Sequence, residues 1–125
     1  MYSMKILIAE DEPLILQTLE LKLKKEGYTV IGCVDGLDAL QKIDAEKPDL
    51  IITDIMMPYM SGLEVVRKVK SDLDSRNIPV IVLSTMGQES IVEEAFELGA
   101  DDYLKKPFSL SELSIRIKKL ARKSG

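Results

Sequence analysis

Ile6-Leu7-Ile8-Ala9-Glu10-Asp11-Glu12-Pro13 changes character twice in eight residues, from apolar to acidic to a proline. Four consecutive apolar residues suit a strand buried on both faces, and proline is favoured at the first position of a helix. The stretch therefore reads as strand, acidic turn, helix start. Leu50-Ile51-Ile52-Thr53 followed by Asp54 repeats the pattern, and a Lys106-Pro107 pair follows a third run. If these runs are neighbouring parallel strands, Glu10, Asp11, Asp54 and Lys106 meet in one crevice at the carboxyl ends, where open α/β sheets bind ligands. Three carboxylates around one ammonium mark a candidate phosphorylation site.

Working outward, five short runs alternate with helical patterns: Lys5–Ala9, Tyr28–Cys33, Leu50–Thr53, Val80–Ser84 and Asp102–Leu104. The first helix starts at Pro13 behind Glu12, carries Ile15, Leu19 and Leu23 on one stripe, and stops at Gly27. Asp35 caps a second helix that runs to about Glu46, ahead of Lys47-Pro48. Ser61-Gly62-Leu63-Glu64 and Ser109-Leu110-Ser111-Glu112 match the capping box and open the third and fifth helices. The fourth has only Gly87-Gln88-Glu89-Ser90 as a cap, with Ile91, Ala95 and Leu98 on one face and Gly99 at its end. Right-handed crossovers then give a single (βα)5 doubly wound α/β domain over residues 1–125.

Composition bounds the chemistry. The chain has 125 residues, enough for one core with helices on both faces of a sheet, and no apolar stretch approaches a bilayer span. No leader precedes the first strand, so the chain is expected in the cytoplasm. Cys33 is the sole cysteine and reads as core. Histidine is absent, which removes His-based general-base chemistry, triads, His-ligated zinc and any phosphohistidine of its own. The net charge is −4, with seven basic residues against Glu112 from Lys105 onward and about −10 on the remainder. An acidic body argues against direct nucleic-acid binding.

These residues resemble the receiver domains of two-component response regulators. The resemblance is carried by Ile6 to Pro13, by Pro48-Asp49-Leu50-Ile51-Ile52-Thr53-Asp54-Ile55-Met56-Met57-Pro58, by Pro79 to Ser84, and by Gly99-Ala100-Asp101-Asp102-Tyr103-Leu104-Lys105-Lys106-Pro107-Phe108. It implies a flavodoxin-like fold with a five-stranded parallel sheet in the order 2-1-3-4-5. It also implies that Asp54 accepts a phosphoryl group, a case of nucleophilic catalysis by a carboxylate. Glu10, Asp11, Asp54 and the backbone carbonyl of Met56 would hold Mg2+, whose hard oxygen ligands these are. Glu10 stands where Asp is commoner and can reach the ion through water. Lys106 would pair with Asp54 and then with the phosphoryl group, with a cis peptide before Pro107. Ser84 would bond a phosphoryl oxygen, and Tyr103 would swing inward in response. Thr85 stands where relatives often carry a smaller residue, so its bulk is expected to slow hydrolysis.

The partners implied are a histidine kinase or phosphotransfer protein, recognised through the first helix and the Met57–Gly62 loop, and an unknown output protein or domain. No effector follows Gly125, so the chain reads as a stand-alone receiver or a piece of a longer regulator. Arg116, Lys118 and Arg122 resemble the basic dimer face of the winged-helix subclass, but Ile91, Glu93 and Glu94 depart from it, leaving a monomer or a weak phosphorylation-linked dimer. Ile115 lies off the stripe Leu110, Leu113, Ile117, Leu120 and reads as a partner contact or as core. A haloacid-dehalogenase-type phosphatase needs a second Asp where Met56 stands, and a flavodoxin needs a phosphate loop where Glu10-Asp11-Glu12 stand. The alternative within the family is a degenerate receiver that binds partners without phosphorylation.

Overall fold

The computed structural model of the chain describes residues 3–85 and 87–124. Strands β1 (Lys5–Ala9), β2 (Thr29–Cys33), β3 (Leu50–Asp54), β4 (Val80–Ser84) and β5 (Asp102–Lys105) alternate with helices α1 (Pro13–Lys25), α2 (Gly36–Glu46), α3 (Gly62–Ser71), α4 (Glu89–Glu97) and α5 (Leu110–Ser124). All strand pairs are parallel and the sheet order is β2-β1-β3-β4-β5, the order the resemblance implies.

Alternation along the strands divides the core. Leu7, Ala9, Ile51, Val80 and Val82 face a cluster completed by α2, α3 and α4. Ile6, Ile8, Leu50, Ile52, Ile81 and Leu83 face the other, completed by α1 and α5. Both faces of β1, β3 and β4 are thus dry, which is why these strands are apolar throughout. Cys33 is fully buried, and burial pushes its thiol up to about 12.

Several local readings shift. In α1 the buried row is Leu16, Leu19 and Leu23, with Ile15 only partly buried, because the helix meets the sheet one residue further round than the four-residue spacing suggests. In α4 the buried residues are Val92 and Ala95, while Ile91 and Leu98 pack at the margin. Strand β3 extends one residue, so Asp54 is its last member instead of the first residue past it. The capping serines work in one direction: Ser61 accepts from the Glu64 N–H at 3.4 Å and Ser109 from the Glu112 N–H at 3.0 Å. The glutamates themselves turn to Arg67 (3.9 Å) and Arg116 (3.6 Å). Ile115 is exposed at 64%. Arg116 is committed to Asp102 at 2.6 Å, and the Arg122 side chain lies outside the described residues. Among the described residues, no helix is long and apolar enough to cross a membrane.

Candidate functional site

Parallel register brings the strand ends level. Ala9 pairs with Thr53, and Asp54 with Leu83, so Glu10, Asp54 and Ser84 emerge side by side from three central strands. Asp54 is held from behind: the Ile55 N–H donates to the Leu83 carbonyl at 3.0 Å, and the Gly62 N–H to the Ile55 carbonyl at 2.7 Å. A Cβ on Gly62 would overlap the Asp54 carbonyl, so glycine is required where α3 starts against this strand end.

Lys106 directly follows β5 and precedes a cis peptide to Pro107, its N–H donating to the Ser84 carbonyl at 2.6 Å. Its ammonium donates to Glu10 Oε1 at 2.8 Å and to Asp54 Oδ2 at 3.0 Å. Burial alone would lower its pKa, but the bonds and charges of Glu10 and Asp54 outweigh that and raise it. Glu10 is fully buried, its second oxygen accepting from the Glu12 N–H at 3.2 Å. Burial raises Glu10 to about 7; the Lys106 bond opposes this and the Asp54 charge adds to it. The resemblance implies a pairing of Lys106 with Asp54, and here Lys106 bonds Glu10 as well.

Glu10, Asp11 and Asp54 each offer a carboxylate oxygen within 4.8 Å of the others. Opposite ligands of Mg2+ lie about 4.2 Å apart, twice the usual Mg–O distance, so this all-oxygen set has the right hardness and scale for that ion. Asp11 is exposed while Glu10 and Asp54 are buried, so the cluster opens to solvent on one side. Ser84 is buried at the end of β4. Tyr103 is not in the cluster: it is 41% exposed on the edge strand, edge-on to Phe96 with ring centroids 5.9 Å apart. Both rings line a cavity of about 310 Å³ that also touches Ser84, Thr85 and Val92. Met56, two residues past Asp54, exposes its side chain.

The response regulator receiver domain family model matches residues 6–118. The chain belongs to this family. The receiver is 40% identical over 120 residues to the alkaline phosphatase synthesis transcriptional regulatory protein PhoP of Bacillus subtilis (strain 168), covering 96% of this chain and 49% of that protein. It is 38% identical over 122 residues to the response regulator MprA of Mycobacterium ulcerans (strain Agy99), covering 98% of this chain and 52% of the relative. The receiver thus spans about half the length of these curated relatives. Among solved structures, the signal receiver domain of a signal transduction histidine kinase from Syntrophus aciditrophicus matches with a TM-score of 0.88 at 36% identity, over 94% of this chain and 89% of that one.

Two residues that shape the site carry no signal in the sequence pattern. Gly36 at the start of α2 packs directly on Met60 in the β3–α3 loop. Tyr59, in the same loop, is 91% exposed with φ +67°, a left-handed conformation that an aromatic residue rarely adopts.

Proposed function

We propose that this receiver is a phosphoacceptor switch of a two-component system, one domain over residues 1–125, working in the cytoplasm and having no external substrate. The observation that carries the reading is the convergence of Lys106 on Glu10 and Asp54 inside a solvent-open cluster of three carboxylates. One ammonium cannot neutralise three carboxylates, and the surplus negative charge calls for a cation.

An Asp54 carboxylate oxygen attacks the phosphorus of a phosphohistidine on a kinase or phosphotransfer protein. The P–O bond to Asp54 forms as the P–N bond breaks, and the imidazole nitrogen leaves with the electron pair. Glu10, Asp11, Asp54 and the Met56 carbonyl would hold Mg2+, which would supply charge neutralisation for the incoming phosphoryl group. Glu10 and Asp11 would orient that ion, while Lys106 exchanges its carboxylate partner for a phosphoryl oxygen as a compact point charge. Ser84 donates its hydroxyl to another phosphoryl oxygen. As Ser84 moves to the phosphoryl oxygen, Tyr103 turns into the cavity beside it, and the face formed by α4, β5 and α5 changes shape for an output protein. The phosphoryl group biases this equilibrium only by its differential contacts in the two states. The unmet acidity of the cluster favours this reading over a degenerate, phosphorylation-independent binding module. The receiver acts as a monomer or weak phosphorylation-linked dimer, without contacting nucleic acid itself.

The test is incubation with Mg2+ and acetyl phosphate, read as a mass gain of roughly 80 Da for one phosphoryl group, beside Asp54→Asn. A Mg2+-dependent gain lost in the variant is expected. No gain in the wild type, from acetyl phosphate or from a phosphorylated kinase, returns the degenerate alternative.

A further inference from the structure

The loop that follows Asp54 is backed by a contact made outside the acidic cluster. Gly36, the first residue of α2, is buried against Met60: a Cβ there would stand 2.9 Å from Met60 Cβ and 3.1 Å from its carbonyl carbon, with the carbonyl oxygen nearer still. Ordinary contact begins at 3.4 Å. The φ of Gly36 is not left-handed, so the position demands space and not backbone freedom.

The same segment is tied to the other half of the site. The Glu10 N–H donates to the Cys33 carbonyl at 3.0 Å, and Asp35 fixes the start of α2 by accepting from the Asp38 N–H at 2.8 Å. Residues 33–36 therefore bridge the loop that carries Glu10 and Asp11 to the loop that carries Met56. On its far side that second loop is pinned by Gly62, whose N–H bonds the Ile55 carbonyl.

We propose that Gly36 is a positioning residue for the phosphoacceptor site, setting through Met60 the separation of Asp54 and the Met56 carbonyl from Glu10 and Asp11. The inference rests on the function proposed above. A methyl group at residue 36 forces Met60 away by more than half an ångström, since Met60 Cβ alone must retreat from 2.9 to 3.4 Å and the carbonyl oxygen, nearer still, must retreat further. Mg2+ demands near-ideal octahedral geometry, so a displaced carbonyl is not tolerated. Changing residues that hold metal ligands in place typically costs 10–100-fold in affinity.

The test compares Gly36→Ala with Gln41→Gly, a change at an exposed site on the same helix that weakens α2 by propensity alone. Urea unfolding gives the stability of each, and Mg2+ titration followed by the amide resonances of Asp54, Met56 and Gly62 gives affinity and loop position separately. Gly36→Ala is expected to move these resonances before metal is added and to weaken Mg2+ binding at least tenfold. Gln41→Gly is expected to keep wild-type affinity. Affinity in Gly36→Ala within twofold of wild type, or an equal loss in Gln41→Gly, overturns the inference. Should Gly36→Ala fail to fold, Met60→Gly loosens the same contact from the loop side by removing the Cβ and freeing the backbone whose carbonyl Gly36 faces; amide positions and Mg2+ affinity both unchanged there overturn it too. Failure of the wild type to bind Mg2+ is read independently of any variant, and it removes the metal-site reading together with this inference.

Discussion

Two lysines of this receiver are almost equally buried, with side chains 13% and 14% exposed, and they sit at opposite ends of the sheet. Lys106, at the carboxyl end, faces Glu10 and Asp54, with Asp11 close by. Lys70, at the amino end, donates to the Arg76 carbonyl at 3.2 Å, the Ile78 carbonyl at 2.8 Å and Asp101 at 3.0 Å. Asp101 in turn accepts from the Val80 N–H at 2.8 Å. Lys70 meets one carboxylate and two neutral carbonyls, so charge is balanced and each donor is used. Lys106 is outnumbered. The first arrangement closes a joint between α3, β4 and β5; the second leaves a site whose charge is completed only by something arriving from outside.

The largest expected effect separates these roles. Lys70→Met takes a donor from two carbonyls and the ion-pair partner from Asp101, which keeps only the Val80 N–H, and should lower unfolding stability by about 3 kcal/mol in urea, with little change between about pH 6 and 8. Lys106→Met should behave differently, because Glu10 can take up a proton. Its folded pKa of about 7 lies above the ordinary 4.5, so the folded state binds the extra proton between these values and stability falls as pH rises through that window. Without Lys106 that fall steepens, so the variant should cost about 1 kcal/mol near pH 6 and more near pH 8. Equal costs with equal pH dependence would erase the distinction between the two lysines.

The next effect sharpens the same contrast with metal. Mg2+ at a hundred times its Kd should raise stability by about 2.7 kcal/mol, since the ion binds the folded cluster and not the unfolded chain. Chelation should reverse the gain, Asp11→Asn should abolish most of it, and Lys70→Met should leave it intact on a lower baseline. A gain that survives Asp11→Asn would place the ion elsewhere.

A smaller effect belongs to the amino end. The Ser114 hydroxyl is 2.7 Å from Glu26 Oε1 and 2.8 Å from Oε2, joining α5 to the end of α1. That hydroxyl holds the Glu26 carboxyl below its usual pKa. A depressed carboxylate adds stability above its unfolded value and loses it as pH falls through the folded one. Ser114→Ala should therefore cost about 1 kcal/mol at neutral pH, with the difference from wild type closing in acid. A difference that persists unchanged into acid would assign the effect to packing.

Much of the site could be read in the sequence because its members stand at strand ends, where Glu10, Asp11, Asp54, Ser84 and Lys106 are marked by a change from apolar to polar. Helix starts were legible for the same local reason, at Pro13, Asp35, Ser61 and Ser109. Contacts set by three-dimensional packing were not. Lys70 and Asp101 are 31 residues apart and neither breaks a pattern. Ile15 and Leu16 are both apolar, so spacing alone could not tell which faces the sheet. The Glu10–Lys106 bond joins residues 96 apart and breaks no local pattern. Gly36 reads as an ordinary residue after a cap until Met60 is seen against it.

The smallest effect concerns how long a phosphoryl group on Asp54 would last. Thr85 follows Ser84, and its N–H donates to Gln88 Oε1 at 2.7 Å. Its exposed side chain borders the cavity shared with Tyr103 and also the apolar groove that reaches Lys106 and Pro107. Hydrolysis of an acyl phosphate at Asp54 needs a water in line with the P–O bond, and Thr85 stands at the solvent side of the residues proposed to hold that phosphoryl group. Thr85→Ala removes a hydroxyl and a methyl from this rim without altering a carboxylate or Lys106. The phosphoryl group should then be lost about threefold faster, equivalent to about 0.65 kcal/mol off the barrier. The decay of the phosphorylated mass after removal of acetyl phosphate measures it. An unchanged or slower rate would mean that water reaches the phosphorus from the Asp11 side, where the cluster is already open, and that the carboxyl end of the sheet controls its own lifetime through the metal-binding residues.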